Sequence, residues 1–215
     1  GTVVNLAIAN DWMHKNPFAG IRFQEKEVIR EVLTKEEIER MMCKEFALPR
    51  LEYVRDVFIF CVFTGMAYVD VNNLRQEHIV RDNNDDLWIR KARQKTNNMC
   101  NIPLLKIPQL LMEKYKNHPL CTKTGALLPV PSNQKMNSYL KEIADFCGIQ
   151  KNLTTHTARH TFATVVALAN GVSMENIAKM LGHSDIRMTQ RYAKVMDSSI
   201  MRDMENVDKL FKSSE

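Results

Sequence analysis

The sequence predicts a mainly α-helical domain with one small antiparallel β-sheet, an α+β fold. Capping residues and glycines mark the ends of a series of helices from Thr34 onward. Between His78 and Leu105 the pattern changes to short apolar runs, which the polar stretches "RDNNDD" and "TNN" separate. Helical patterns resume at residue 107 and continue to the end of the chain.

The first third of the chain contains three clear helix signals. Residues 3–14 have the pattern of the end of a helix, and "KNPFAGIRF" then breaks it; the polar residues 21–33 are typical of a linker. Thr34 and Glu37 form a capping box at the start of the helix "KEEIERMMCKEF". The apolar stretch 51–65 predicts a buried helix that Gly65 ends, and a short helix "AYVDVNNL" follows.

The middle of the chain supplies the sheet, and helices return after it. The runs "HIV", "LWIRKARQK" and "NMCNIPLL" predict three strands. Further helices are expected at 107–117 and 133–147. Gly171 ends the helix that follows Thr154. Two short helices come next, with Ser173 and Ser184 as N-cap candidates and Gly182 between them, and an amphipathic helix is expected at 198–212.

Composition restricts the class of protein only loosely. The 215 residues are 45% hydrophobic and 26% charged, as in ordinary globular proteins, and the net charge of +5 is compatible with a polyanionic partner. The five scattered cysteines form no CxxC pair, which favours free thiols in a reducing compartment. No run of eighteen apolar residues occurs, so we expect a cytoplasmic protein without a membrane span.

The segment "TTHTARHTFATVVALANG" (154–171) places His156, Arg159 and His160 together at the start of a helix. At about 100° per residue the three side chains share one sector, opposite the apolar side chains that follow. Backbone N–H groups at a helix N-terminus favour an anion, and an arginine presents a planar fork to two phosphate oxygens. The cluster therefore resembles a phosphate clamp.

Two plainer interpretations of this cluster stay open. His156 and His160 have the i, i+4 spacing of half a zinc site, although Ala158 and Arg159 fill the positions between them and the HExxH glutamate is absent. Alternatively, the histidines form a surface pair beside a solvated arginine.

Two further motifs favour the phosphate interpretation. "LGHSDI" contains His183, and "TQRYAKV" contains Tyr192 nine residues later. Together with "HTAR", these motifs resemble, in order and spacing, those of the tyrosine recombinases, or phage-type integrases. The resemblance covers about residues 34–205, and "TGMAYVDV" and "RQKTNN" look most like the integrases of Bacteroides-type mobile elements.

The resemblance implies a site-specific DNA recombinase or integrase. Tyr192 would attack a phosphodiester to form a 3′-phosphotyrosine and release a 5′-hydroxyl. The 5′-hydroxyl of a partner strand would then attack the phosphotyrosine. Bond energy is conserved in this exchange, so neither ATP nor a metal cofactor is implied. A free tyrosine has a pKa of about 10 and needs help to react. Cationic donors stabilise the charge that develops on the phosphoryl oxygens.

The resemblance also implies a role for each side chain. Arg159 would bind the non-bridging oxygens, His183 would donate to the phosphate, and Lys95 would protonate the leaving 5′-oxygen. His156 would be a general base or a hydrogen-bond donor, and His160 would support Arg159 or take the last position of an HxxRH pattern. A packed core tyrosine and an exposed strand lysine are the plainer interpretations of Tyr192 and Lys95.

The sequence departs from the family pattern at Ala67, where "TGMA" stands in place of a first catalytic arginine. Arg93 is our preferred replacement because it shares a strand face with Lys95; Arg75 is the second candidate. Lys91 and Arg93 belong to a basic row that could follow phosphates or form a solvated face. Arg187 could contact DNA or nearby acidic groups, and Asp70 is expected to orient basic side chains.

The implied partners are double-stranded DNA attachment sites and further copies of the chain. We expect a homotetramer in the synaptic complex, a monomer when free, no membrane partner, and association with the bacterial nucleoid. Residues 1–20 would be the C-terminal end of a truncated core-binding domain, and 34–215 the catalytic domain. The helix at 198–212 could pack on its own domain or in trans. A DNA-binding regulatory relative with weakened catalysis is the alternative function.

Overall fold

One buried helix organises the part of the chain that the structure describes, which is residues 2–21 and 31–193 of a computed structural model. This helix, α3 (Pro49–Thr64), is apolar on all sides from Val57 to Phe63, and such a stretch is buried rather than placed at a surface. Helices and a sheet surround it. The other α-helices are α1 (Thr2–Ala9), α2 (Lys35–Cys43), α4 (Tyr68–Asn72), α5 (Lys106–Tyr115), α6 (Pro119–Thr124), α7 (Asn133–Phe146), α8 (Thr155–Thr161), α9 (Met174–Leu181) and α10 (Arg187–Ala193).

The sheet has three antiparallel strands in the order β1 (Ile79–Arg81), β2 (Leu87–Ala92) and β3 (Met99–Pro103). Ile89 pairs with Ile79 on one side and with Ile102 on the other. Ile89 and Ile102 are fully buried and join the main core. This face of the sheet therefore packs against the helices, and the mainly α fold with a small antiparallel sheet is confirmed.

Several capping predictions are confirmed. Thr34 and Glu37 form the capping box of α2, and the hydroxyl of Ser173 accepts from Asn176 N at the start of α9. Gly65 ends α3 with φ +68°, where its N–H donates to the carbonyl of Cys61. All five cysteines are free, as expected.

Other boundaries differ from the prediction for local reasons. Ser184 is not an N-cap, because α10 begins at Arg187 and the Asp185 side chain accepts from the Arg187 N–H instead. Leu33 belongs to the core rather than to a linker, since it is fully buried and its N–H donates to Thr161 Oγ1. The helix α6 was not predicted; His118 caps it and a proline begins it.

The sequence predicts one regular α-helix after Thr154, but the structure shows an irregular one. It changes at Phe162 into a π-helical turn over Phe162–Ala167, and a 3₁₀ turn follows before Gly171. Phe162 lies against Gly65, where a β-carbon would stand 2.4 Å from the Phe162 ring. The irregular segment thus packs directly against the end of α3.

The amphipathic helix predicted at 198–212 lies outside the described residues. Among the helices in the described ranges, none combines the length and apolarity needed to cross a membrane.

We expect Gly65→Ala to lower the free energy of unfolding by about 2–5 kcal/mol. A left-handed backbone costs an L-residue about 1–2 kcal/mol, and overpacking against Phe162 costs about 1–3 kcal/mol more. Urea denaturation measures the change. Gly171→Ala is the matched control, because Gly171 also has a positive φ (+81°) but nothing lies within 4 Å of the added methyl group. Equal losses in the two variants would contradict the packing described here.

Candidate active site

Arg159 lies at the bottom of the site and is only 6% exposed. Its Nη1 donates to the carbonyl of Gly65 and its Nη2 to the carbonyl of Leu181, both at 2.6 Å. These carbonyls terminate α3 and α9, where helix dipoles favour a cation. Within the described residues, no carboxylate lies at salt-bridge distance from Arg159. The guanidinium is therefore held rigidly by backbone groups, while its charge stays available to an anion.

The turn after α9 places His183 beside Arg159. Gly182 takes a left-handed conformation (φ +61°), and the His183 N–H donates to the carbonyl of Ala178, as in a glycine-terminated helix. A β-carbon on Gly182 would stand 2.6 Å from Arg93 Cδ and 2.7 Å from Cys100 Sγ. The glycine thus both ends the helix and leaves room for a second arginine.

His183 contacts a different polar group through each ring nitrogen. Its Nε2 lies 3.3 Å from Arg159 Nη2, and its Nδ1 lies 2.8 Å from Thr189 Oγ1. Burial, together with the positive charges of Arg159 and Arg93, lowers the pKa of His183 to about 4. At neutral pH the imidazole is therefore uncharged.

Tyr192 lies between two of the site histidines of its own chain. Its ring is 5.4 Å from the ring of His160, centroid to centroid, and nearly parallel to that of His183 at 6.4 Å. From the sequence, only the resemblance to tyrosine recombinases suggested that these residues lie close together. In the structure, three elements meet here: α8 carries His160, the turn after α9 carries His183, and α10 carries Tyr192. They bring both histidine rings into contact with the ring of Tyr192.

Arg93 is the second arginine of the site. Its side chain is 12% exposed, its Nη1 donates to the carbonyl of Gly182 at 3.4 Å, and its Nε lies 3.9 Å from Asp70 Oδ2. Within the described residues, that buried Nε has no hydrogen-bond acceptor. Burial and, next, the charge of Arg93 lower the pKa of Arg159. Two guanidinium groups therefore share one crevice, and Asp70 is the one carboxylate among its described lining residues.

The loop between β2 and β3 carries Lys95 and is fixed at both sides. The Gln94 N–H donates to Asp70 Oδ1 at 2.9 Å, and Asn98 Nδ2 donates to the carbonyl of Gly182 at 3.3 Å. Lys95 is exposed in this turn, because β2 ends at Ala92, earlier than predicted. Asp70 thus contacts both Arg93 and the loop of Lys95.

The predicted basic row does not continue along one exposed strand. Lys91 is half-buried on the inner face of β2, opposite Cys100, with its Nζ 3.5 Å from His78 Nε2. The structure therefore separates Lys91, in the crevice, from Lys95, at the loop tip.

The remaining predicted residues lie at the edge of the site or away from it. His156 is exposed on the first turn of α8. Arg75 donates to the carbonyls of Asn72 and Leu74, which holds its guanidinium at the end of α4. Arg187 pairs with Asp185 at 2.6 Å, and its side chain is 82% exposed.

Two expectations for the start of α8 need correction. The Thr157 N–H donates to Thr154 Oγ1, so capping uses part of the N-terminus that we expected to face an anion. Arg159 lines a crevice and is buried, so the alternative interpretation as a solvated arginine is wrong. In the described part of the chain, no group of three or more His, Cys, Asp or Glu side chains could hold a metal ion, so the zinc interpretation has no ligand set there.

Sequence reasoning missed Thr189. It is fully buried and contacts His183. Its spacing of three residues from Tyr192 places both on one helix face, and that spacing is the signal that could have identified it.

A family model described as the phage integrase family matches residues 31–199. The chain belongs to the phage integrase family. The match covers α2 to α10 and contains every candidate site residue named above. The protein thus has a tyrosine recombinase catalytic-domain fold.

Individual relatives agree with this family. Tyrosine recombinase XerD of Staphylococcus saprophyticus is 40% identical over 95 residues, which are 44% of this chain and 31% of XerD. XerD of Staphylococcus aureus Mu50 is 42% identical over 71 residues, 33% of this chain and 24% of that protein. The matched regions therefore span a third or less of these curated relatives.

Solved structures of integrases share the fold. The XerA recombinase matches with a TM-score of 0.62 and 24% identity, covering 84% of this chain and 66% of XerA. A lambda integrase dimer bound to a COC′ core site matches with a TM-score of 0.66 and 19% identity, covering 87% of this chain and 68% of the integrase. The Tn1549 transposon integrase with a circular intermediate DNA matches with a TM-score of 0.67 and 18% identity, covering 95% of this chain and 76% of that integrase.

Proposed function

We propose that this chain is the catalytic part of a site-specific DNA recombinase that integrates or excises a mobile element. The observation that carries the proposal is the placement of Tyr192 against His160 and His183 of its own chain, with Arg159 in contact with His183. A tyrosine hydroxyl, two imidazoles and a buried cation thus lie together in one site. Phosphoryl transfer depends on this kind of fixed positioning.

In the proposed reaction Tyr192 Oη forms a bond to the phosphorus as the bond from phosphorus to the 5′-oxygen breaks. Arg159 and His183 stabilise the non-bridging oxygens. Lys95 gives its proton to the leaving 5′-oxygen, and His156 accepts the tyrosine proton or donates to the phosphate. The ester linkage is retained in the phosphotyrosine, so the 5′-hydroxyl of a partner strand can reverse the step without ATP. We assign no metal or other cofactor to the reaction.

In this proposal Arg93 replaces the first catalytic arginine of the family pattern, whose position is occupied by Ala67 in this chain. It shares the crevice with Arg159, and its Nε–H donates to no acceptor among the described residues. Arg75 is a weaker candidate, because two carbonyls of its own segment already hold its guanidinium.

The proposed partner is double-stranded DNA at an attachment site. Similar structures include a lambda integrase bound to a core site and the Tn1549 integrase with circular intermediate DNA. We propose a homotetramer in the synaptic complex, a monomer when free, and work at the nucleoid in the bacterial cytoplasm. Lys91 and Arg187 would add contacts to DNA phosphates. Arg187 would make its contact after releasing its ion pair with Asp185.

A regulatory DNA-binding protein without catalysis is the second candidate, and Ala67 is the observation that speaks for it. It is not favoured. Arg93 supplies a cation close to Arg159, and the family relatives are named recombinases and integrases.

The chain should form a covalent complex with DNA through Tyr192. We would incubate it at low ionic strength with nicked suicide duplexes of randomised core sequence, because phosphate contacts weaken with salt. A denaturing gel should show a protein–DNA adduct that Tyr192→Phe abolishes. Tyr139→Phe, on α7 beneath Arg50, is the matched control and should retain the adduct. Absence of any adduct, or its persistence in Tyr192→Phe, would sink the proposal.

Arg93→Ala should lower the rate of adduct formation about 10²–10³-fold, the usual effect of removing one donor to a developing oxyanion. DNA binding should stay measurable. The same substitution at exposed Arg81, which pairs with Asp85, is the control and should have little effect. Full activity in Arg93→Ala would rule Arg93 out, and a comparable loss in Arg75→Ala would transfer the role to Arg75.

A further inference from the structure

Thr189 connects the nucleophile helix to the histidine of the site. Of residues 187–192, it is the only one that is buried, and its side chain is fully enclosed. Its Oγ1 lies 2.8 Å from His183 Nδ1. Tyr192 follows one helical turn later on the same face. A buried hydroxyl needs a hydrogen-bond partner, and the imidazole of His183 is within hydrogen-bond distance of this one.

The direction of this hydrogen bond follows from the other side of the ring. His183 Nε2 lies 3.3 Å from Arg159 Nη2, and a guanidinium can only donate. Nε2 is therefore the acceptor in the structure as described. A neutral imidazole carries one proton, which must then lie on Nδ1 and be donated to Thr189 Oγ1.

A phosphate in the site needs the opposite arrangement. To donate to a non-bridging oxygen, His183 must carry its proton on Nε2, and Nδ1 becomes an acceptor. A threonine hydroxyl can both accept and donate, so it can serve either tautomer by rotating its own proton while the heavy atoms stay in place. A carboxylate could only accept, and would hold the proton on Nδ1.

We propose that Thr189 is a positioning residue that lets His183 change from acceptor toward Arg159 to donor toward the scissile phosphate. The inference rests on the proposed function and concerns the same site. When the phosphate takes over the donors of Arg159, the imidazole proton moves to Nε2, and the Thr189 hydroxyl turns to donate to Nδ1. Since Thr189 lies one turn before Tyr192, the same bond holds the nucleophile helix against His183.

The test removes the hydroxyl and keeps the shape. Thr189→Val should lower the single-turnover rate of adduct formation about 10–100-fold at saturating suicide duplex, the range known for losing the partner that orients a metal-binding histidine. Thr189→Ser keeps both hydrogen-bonding directions and should restore the rate. Thr164→Val is the matched control: that hydroxyl is also buried and also makes a 2.8 Å bond, but to the carbonyl of His160.

A double-mutant cycle separates positioning from general packing. If Thr189 acts through His183, Thr189→Val should have no further effect on the rate in a His183→Ala background. Equal fold-losses in the two backgrounds would overturn the inference, and so would an unchanged rate in Thr189→Val alone. Nitrogen-15 NMR of the free protein should show the proton of His183 on Nδ1; a proton on Nε2 would also overturn it.

These outcomes are distinct from failure of the proposed function. No adduct with the unmodified chain would remove the recombinase function, and with it the role of Thr189. An adduct that forms equally well with Thr189→Val would leave the recombinase function in place and remove only the role of Thr189.

Discussion

The site depends on how Arg159 is held. Two backbone carbonyls at the ends of α3 and α9 fix the guanidinium, in place of a carboxylate that would neutralise it. Burying a cation this way is costly, and the nearby Arg93 adds to the cost. In the proposed function, the phosphodiester of the DNA is the group that supplies the missing negative charge. This preorganised positive charge is the physical basis for binding a phosphoryl group as its charge develops.

Small residues and an irregular helix make that arrangement possible. Gly65 presents its carbonyl to Arg159 while leaving space for Phe162, and Gly182 leaves space for Arg93 and Cys100. The π-helical turn Phe162–Ala167 changes the course of the chain three residues after Arg159, and such turns often mark functional sites. Local irregularity is thus concentrated where the backbone must approach charged side chains closely.

Local signals in the sequence were sufficient for most of the fold. The Thr34–Glu37 capping box, Gly65 and the short apolar runs of the strands act over a few residues, and the structure agrees with them. The motif spacing likewise named the residues that meet around Tyr192. Depth was not predictable, because helical periodicity gives the direction of a side chain but not what covers it.

Contacts between distant segments were also beyond the sequence. Just past the end of β2 at Ala92, the Gln94 N–H donates to Asp70 across 24 residues of sequence. Thr189 contacts His183 across the turn that follows Gly182. The most direct test of the account is a crystal structure of the covalent adduct on a nicked duplex. It should show Arg159 and Arg93 of the same chain within hydrogen-bond distance of the oxygens on the Tyr192 phosphate. Guanidinium groups from a neighbouring chain, or none but Arg159, would contradict it.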